Sequence, residues 1–254
     1  MRLLLGLAFF ALGFASLYLY GDTAERELVE LRGAAMGTTW SVKIAAPGMG
    51  AEQQRTAADR VTAQLERINE LMSTWTDTSE LARFNAHAST ESFPLSPETF
   101  EVFEIAQQVA ELSGGAFDVT VGPLVDAWGF GRDRRPEPPS DDELRELRAR
   151  TGWRKLALGP LQHTLRKSVP DLRADLSAVA KGYAVDLVTR QLEQLGHEDF
   201  LVEVGGELRA RGARPDGGPW RVAIESPDAL PGERRIHYRG DLRYIVGVIQ
   251  VDEA

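Results

Sequence analysis

The chain of 254 residues has an ordinary globular composition, with 43% hydrophobic and 26% charged residues, which excludes a disordered or fibrous protein. Its formal net charge of −9 argues against a nucleic-acid-binding protein, which would need a basic face. The chain contains no cysteine, which excludes disulfides, thiolate metal sites, a cysteine nucleophile and a lipid-bearing cysteine anchor.

An uncharged apolar run from Leu3 to Tyr20 follows Arg2 at the amino terminus. At about 1.5 Å of rise per residue, a helix of this length crosses the roughly 30 Å hydrocarbon core of a bilayer. Ala15 and Ser16 are followed by Leu-Tyr-Leu-Tyr, so no small-residue cleavage site is present. This favours an uncleaved anchor over a cleaved signal peptide, and a buried core helix is the remaining alternative.

The apolar run implies three regions along the chain. We expect a membrane anchor or signal segment over residues 1–21, a polar stalk over 22–33 and a single domain over 34–254. The domain is expected to be exported, anchored to the inner membrane, and to face the periplasm or extracytoplasmic space.

The body of the chain shows helical and alternating patterns in mixed order. Apolar residues at helical spacing predict helices over Ala51–Met72 and Ser177–Leu195. Capping residues predict two more helices, one after Ser96-Pro97 and one from Ser140 to about Arg150. Alternation predicts strands at 38–45, 155–158, 163–169, 200–204, 207–211, 220–225 and 244–251. The irregular order favours an α+β fold of mixed or antiparallel sheets packed with three or four helices.

Residues 113–123 contain more glycine and charge than packing requires. Gly114-Gly115 ends a helix, Asp118 follows within a strand-like run, and Gly122-Pro123 closes the run with a turn. Glycines allow a ligand to approach backbone amides closely, so the segment is a candidate binding site. A helix C-cap followed by an edge strand explains the same residues equally well.

Two further segments carry candidate binding features. Asp175 or Ser177 can cap a helix whose second turn holds Lys181, an unfavourable place for a cation unless it helps to bind an anion such as phosphate. A solvated lysine beside an ordinary cap is the alternative. Gly205-Gly206 lies between two predicted strands, and a tight hairpin explains it as well as close approach by a ligand does.

Taken in chain order, these segments resemble the ApbE family of flavin transferases, formerly called thiamine biosynthesis lipoproteins. The matching stretches are 35–40, 72–75, 79–85, 114–123, 175–186, 204–212 and 220–227. The resemblance implies an ApbE-like, T-fold-related domain that binds FAD with Mg²⁺. It also implies transfer of FMN from FAD to a threonine hydroxyl of an acceptor flavoprotein, with release of AMP.

The resemblance also implies which residues hold the flavin dinucleotide. Met36 is expected to lie against the flavin, and Trp75 replaces an aromatic residue, often tyrosine, keeping its stacking surface without the hydroxyl. Ala116, Phe117 and Asp118 are expected to hold the adenosine part.

Residues near the predicted helix start complete the implied site. Asp175 and Lys181 are expected to contact FAD, and the backbone carbonyl of Ala178 is expected to ligate Mg²⁺. Lys181 is expected to neutralise charge on the pyrophosphate, and no residue is assigned as a catalytic base.

The sequence departs from the family pattern after Trp220–Pro227. The family's later motifs, including an aspartate and a threonine of the magnesium site, are not found, and the tail after His237 has no family counterpart. We therefore expect a C-terminally truncated domain. The alternative functions are an FAD-binding or flavin-delivery protein without transferase activity and an inactive fragment.

Overall fold

A computed structural model describes residues 25–132, 135–225 and 245–251. The predicted membrane anchor over residues 1–21 and the first three residues of the predicted stalk, 22–24, lie outside the described residues. The rest of the predicted stalk is described, and residues 26–33 of it belong to a strand, Arg26–Ala35. No helix within the described part of the chain is long and apolar enough to cross a membrane.

A four-stranded antiparallel sheet forms the centre of the fold, and its second strand alternates apolar and polar residues. Its order is β1-β2-β6-β7, and Trp40, Val42 and Ile44 of β2 are all buried on one face. The strands are β1 (Arg26–Ala35), β2 (Thr38–Pro47), β6 (Phe200–Val204) and β7 (Glu207–Arg211).

Six helices accompany the sheets in the described residues. The first helix packs against the last helix and against β1. The last helix also packs against β6 and β7, so the apolar faces of these two helices and the sheet enclose the main core. The helices are α1 (Ala51–Met72), α2 (Glu80–Ala86), α3 (Pro97–Leu112), α4 (Gly122–Ala127), α5 (Asp141–Arg150) and α6 (Ser177–Gln194).

Two smaller antiparallel sheets complete the described structure. The first has the order β3-β5-β4 and the second pairs β8 with β9. Their strands are β3 (Phe93–Pro94), β4 (Leu156–Gly159), β5 (Thr164–Lys167), β8 (Trp220–Glu225) and β9 (Ile245–Val251).

The structure confirms the predicted α+β class with antiparallel sheets. Four helices have ten residues or more, and the short helices α2 and α4 bring the total in the described residues to six. The hairpin at Gly205-Gly206 is confirmed, since both residues have positive φ and Val204 pairs with Glu207.

The strand-like run predicted around Asp118 is wrong. A 3-10 turn at Val119–Val121 leads directly into α4, so Gly122-Pro123 begins a helix and does not close a turn. The Asp118 carboxylate accepts hydrogen bonds from the Thr120 amide at 2.8 Å and its hydroxyl at 2.6 Å, which holds the turn. The β-branched residues suggested a strand, but this local bond and the proline in the first helical turn favour the helical path.

Candidate functional site

A single large cleft brings together residues that are far apart in the sequence. Its volume is 1140 Å³, and its lining residues are 74–75, 85, 116–119, 121–123, 125–127, 130–132, 135, 143, 147, 173–175 and 177–178. Small-molecule sites typically measure about 300–1,000 Å³, so the cleft has room for a ligand of dinucleotide size.

Six of the eight residues assigned by resemblance line this cleft. They are Trp75, Ala116, Phe117, Asp118, Asp175 and Ala178. Met36 and Lys181 are not among the lining residues. The structure therefore brings most of the assigned residues together, while the individual roles of all eight stay predictions.

Asp118 shapes one wall of the cleft with both carboxylate oxygens. Oδ1 holds the turn at Thr120, and Oδ2 accepts a hydrogen bond from the Trp153 amide at 2.9 Å. The Thr120 hydroxyl in turn accepts from the Gly152 amide at 2.6 Å. This network joins the start of α4 to the segment after α5, so Asp118 organises the backbone of the wall it lines.

The segment that precedes α6 forms another part of the cleft wall. The Asn85 side chain donates to the Ala174 carbonyl and accepts from the Ala174 amide, both at 2.8 Å. The Asp175 amide donates to the Val119 carbonyl at 2.7 Å. These bonds fix the segment between α2 and the turn at Val119.

Asp175 caps α6 from just outside the helix. The N-cap position is Leu176, and Asp175 Oδ1 accepts from the Ser177 amide at 2.8 Å. Of the two capping residues that the sequence offered, Asp175 therefore makes the bond and Ser177 is the first helical residue. The cap places Asp175 and Ala178 on the same side of the cleft.

Lys167 is an organising residue that the sequence analysis missed. Its side chain is buried, with 1% of the residue exposed, and Nζ donates to the carbonyls of Phe84 at 3.2 Å and Leu172 at 3.1 Å. Burial lowers the pKa of its amino group. A signal was present, because Lys167 shares the inward face of β5 with Leu165.

Two exposed aromatic side chains lie at the cleft. Trp75 is 63% exposed and Phe130 is 77% exposed, and both line the cavity. Aromatic faces of this kind stack on planar ring systems. Trp75 follows the Ser73 turn, whose hydroxyl accepts from the Trp75 amide at 3.1 Å, so its backbone is held while its ring is open to ligand.

Three arginines line the cleft, and each is paired with an acid. Arg132 pairs with Asp77 and Arg135 pairs with Glu143, whose pKa is lowered by that hydrogen bond. Arg173 Nη1 lies 2.8 Å from Asp126 Oδ2. The positive charge of these arginines is therefore balanced by acids, of which Glu143 and Asp126 also line the cleft.

Lys181 and Met36 belong to a neighbouring cluster at the end of the central sheet. Lys181 Nζ lies 2.8 Å from Glu207 Oε1 and 3.3 Å from the Gly205 carbonyl. Met36 has a φ of 53° in the turn between β1 and β2, and Thr38 packs against Gly205. Lys181 is nearly one helical turn beyond Ala178, so this cluster adjoins the cleft.

The donor set near Ala178 does not make a metal site by itself. No group of three histidine or acidic side chains among the described residues is arranged to hold a metal ion. Oδ1 of Asp175 already accepts a hydrogen bond from the Ser177 amide. Because Mg²⁺ usually takes several ligands from phosphates and water, one carbonyl provides at most part of its coordination.

Comparison with known proteins shows the same family along most of the chain. The model of the ApbE family matches residues 36–253, so the expectation that the tail after His237 has no family counterpart is wrong. An FAD:protein FMN transferase of Vibrio cholerae is 42% identical over 238 residues, covering 89% of this chain and 70% of that protein. One of Escherichia coli is 38% identical over 208 residues, covering 81% of this chain and 59% of that protein.

Solved structures agree with the sequence relatives. The flavin transferase ApbE from Vibrio cholerae has a TM-score of 0.75 and 45% identity, covering 80% of this chain and 65% of that one. The flavinyl transferase ApbE of Pseudomonas stutzeri, in its apo form, has a TM-score of 0.74 and 37% identity, covering 80% and 67%. This chain spans from 59% to 70% of the length of these relatives. The chain belongs to the ApbE family.

Proposed function

We propose that this protein is an FAD:protein FMN transferase. It would bind FAD in the cleft and transfer the FMN part to a threonine hydroxyl of an acceptor flavoprotein, releasing AMP. The observation that carries the proposal is the cleft itself, which gathers six residues assigned to FAD or its metal and is large enough for a dinucleotide. The names of the relatives support the same activity.

The proposed reaction is a phosphoryl transfer. The threonine oxygen attacks the phosphorus on the FMN side of the diphosphate, and a new oxygen–phosphorus bond forms as the bond to AMP breaks. The hydroxyl proton passes to the leaving phosphate or to water. Such transfers depend mainly on positioning and on neutralising charge at the phosphate oxygens. Lys181 can supply positive charge there once its amino group leaves Glu207 and contacts the phosphate oxygens.

The proposal includes a requirement for Mg²⁺, with the Ala178 carbonyl as one ligand. When bound, the ion would reduce the negative charge of the diphosphate. The described residues do not supply a cluster of three metal-ligating side chains.

A second candidate function is FAD binding or flavin delivery without transfer. It is favoured by one observation: the described residues form a cleft of dinucleotide size but contain no cluster of three metal-ligating side chains. This candidate shares the FAD site and differs in the absence of covalent product.

One experiment separates the two candidates. The purified chain is incubated with FAD, Mg²⁺ and a threonine-bearing acceptor peptide, and covalent flavin is detected by fluorescence after denaturing electrophoresis. Flavin on the peptide supports the transferase, and it should disappear when the peptide threonine is replaced by valine. Tight FAD binding with unlabelled peptide supports the binding protein and contradicts transfer.

We also propose that the protein is anchored in the inner membrane by the run Leu3–Tyr20 and faces the periplasm or extracytoplasmic space. Membrane fractionation tests the anchor, and protease access in spheroplasts tests the orientation. Recovery of the full-length chain from the soluble fraction would contradict it.

A further inference from the structure

Arg173 stands on a backbone segment that is fixed on both sides. Lys167 donates to the carbonyl of Leu172, and Asn85 makes two hydrogen bonds with Ala174. The start of α4 also packs tightly here, because a Cβ added at Gly122 would lie 3.2 Å from the Arg173 carbonyl. The Arg173 side chain therefore projects into the cleft from a rigid support.

The partner of Arg173 is held in an equally defined way. Asp126 lies on α4, and its carboxylate packs closely against Gly131, where an added Cβ would come within 1.8 Å of Asp126 Oδ1. Arg173 Nη1 lies 2.8 Å from Asp126 Oδ2, with side chains 50% and 39% exposed. Half-exposed ion pairs contribute little to stability, so this guanidinium can change partners at small cost.

The proposed ligand carries the group that arginine binds best. A guanidinium offers several N–H donors in a planar fork that matches two phosphate oxygens, and a diphosphate presents more charge than one carboxylate. Arg173 lies two residues before Asp175, and both line the cleft with Ala178. The arginine is thus placed beside the residues already assigned to the dinucleotide.

We infer that Arg173 binds the diphosphate of FAD. In the absence of FAD, Asp126 holds the Arg173 guanidinium in the cleft, and the diphosphate then displaces the Asp126 carboxylate from it. This inference rests on the proposed function, because it concerns the same cleft and ligand. It adds a substrate-binding residue and a competing carboxylate within the protein. Since Asp126 and FAD compete for one guanidinium, the ion pair weakens the apparent affinity for FAD.

The test is a titration of the full-length chain with FAD. Arg173→Gln should raise the Kd for FAD about tenfold, since a charge-assisted contact is lost, and Arg173→Lys should fall between it and wild type. Asp126→Asn should lower the Kd about threefold, because the competitor is weakened. Riboflavin, which has no phosphate, should bind Arg173→Gln and wild type equally.

Arg166→Gln is the matched control, because Arg166 is exposed on β5 and the same charge is removed. It should leave the Kd for FAD unchanged. Thermal unfolding of each variant without ligand verifies that the variant is folded. If Arg173→Gln is not folded, the comparison of FAD and riboflavin affinities is made with Arg173→Lys.

Three results would overturn the inference: an unchanged FAD affinity in Arg173→Gln, an equal loss of FAD and riboflavin binding, or an unchanged or weakened affinity in Asp126→Asn. Each of these leaves the proposed function standing if wild type binds FAD and transfers FMN. A wild-type chain that binds no FAD would instead refute the proposed function itself.

Discussion

Lys167 combines a charged group with an almost fully buried position. Its amino group donates to carbonyls at the end of α2 and to the Leu172 carbonyl, so it links two parts of the cleft wall. An ammonium removed from water is costly unless it is hydrogen-bonded, and here three carbonyls provide that compensation. The side chain therefore acts as a structural cation behind the cleft.

Lys167→Met should lower the free energy of unfolding by about 1–3 kcal/mol, because buried carbonyls lose their donor. Urea denaturation measures this change. The exposed neighbour on the same strand, tested as Arg166→Met, should change it by less than about 0.5 kcal/mol. Equal effects of the two substitutions would contradict a structural role for the buried amino group.

The contribution of Lys167 should also depend on pH. Because burial lowers its pKa below 10.5 in the folded protein, the unfolded chain holds this proton more tightly in the alkaline range below that value. Stability therefore rises with pH in that window, and the difference between wild type and Lys167→Met should widen as the pH rises towards 10.5. A difference independent of pH would show that the pKa is not lowered.

Site residues were predictable from the sequence only where a family motif marks them. Trp75, Asp118 and Asp175 line the cleft as the resemblance suggested. Lys167 was missed although strand alternation places it on the inward face of β5, because its contacts with α2 carbonyls are not visible in the sequence. Arg173 was missed because its ion pair with Asp126 of α4 joins residues that are far apart in the sequence.

At the scale of elements, two helical glycines occupy opposite environments. A Cβ added at Gly182 in α6 meets nothing within 4 Å, whereas one at Gly122 in α4 lies 3.2 Å from the Arg173 carbonyl and 3.5 Å from Ala174. Gly182 therefore lowers the stability of α6, although no neighbouring atom requires a glycine at this position in the ligand-free protein. Gly122 allows α4 to approach the cleft wall.

Gly182→Ala should therefore raise the free energy of unfolding by about 0.5–1 kcal/mol, through the better helix propensity of alanine. Gly122→Ala should lower it by about 1–3 kcal/mol, since the backbone at residues 173–174 must shift. Urea denaturation of both variants measures the contrast. Changes of the same sign would contradict the close approach at Gly122.

Most elements were predictable because their signals are local. The cap at Ser96, the period of α1 and the glycine hairpin each depend on residues within one element. The run at 117–123 was predicted wrongly, since the bond from Asp118 to Thr120 outweighs β propensity. Helices α2 and α4 were not predicted, as six or seven residues show too little periodicity.

At the scale of the whole molecule, the cleft depends on four separated stretches of chain. Sequence patterns predict the elements that carry these stretches but not their arrangement, which follows from packing of the helices on the sheets. The family resemblance supplied the arrangement indirectly, because its motifs mark residues that meet in space.

FAD binding should stabilise this assembly as a unit. At a free FAD concentration of about 100 times Kd, the free energy of unfolding should rise by about 2.7 kcal/mol. The Tm should then increase by several degrees, and thermal unfolding with and without FAD and Mg²⁺ measures it. Riboflavin at the same concentration should give a smaller shift. An unchanged Tm at saturating FAD would contradict the binding site.

Helix α5 contributes Glu143 and Leu147 to the cleft wall and yet has no buried residue. Its Arg145 side chain is 75% exposed. Since the native chain has no cysteine, Arg145→Cys provides a unique attachment point for a thiol-reactive dye. Because α5 has no buried residue, a dye at this position should not disturb the core. Its fluorescence can therefore be used to follow the binding of a ligand in the cleft.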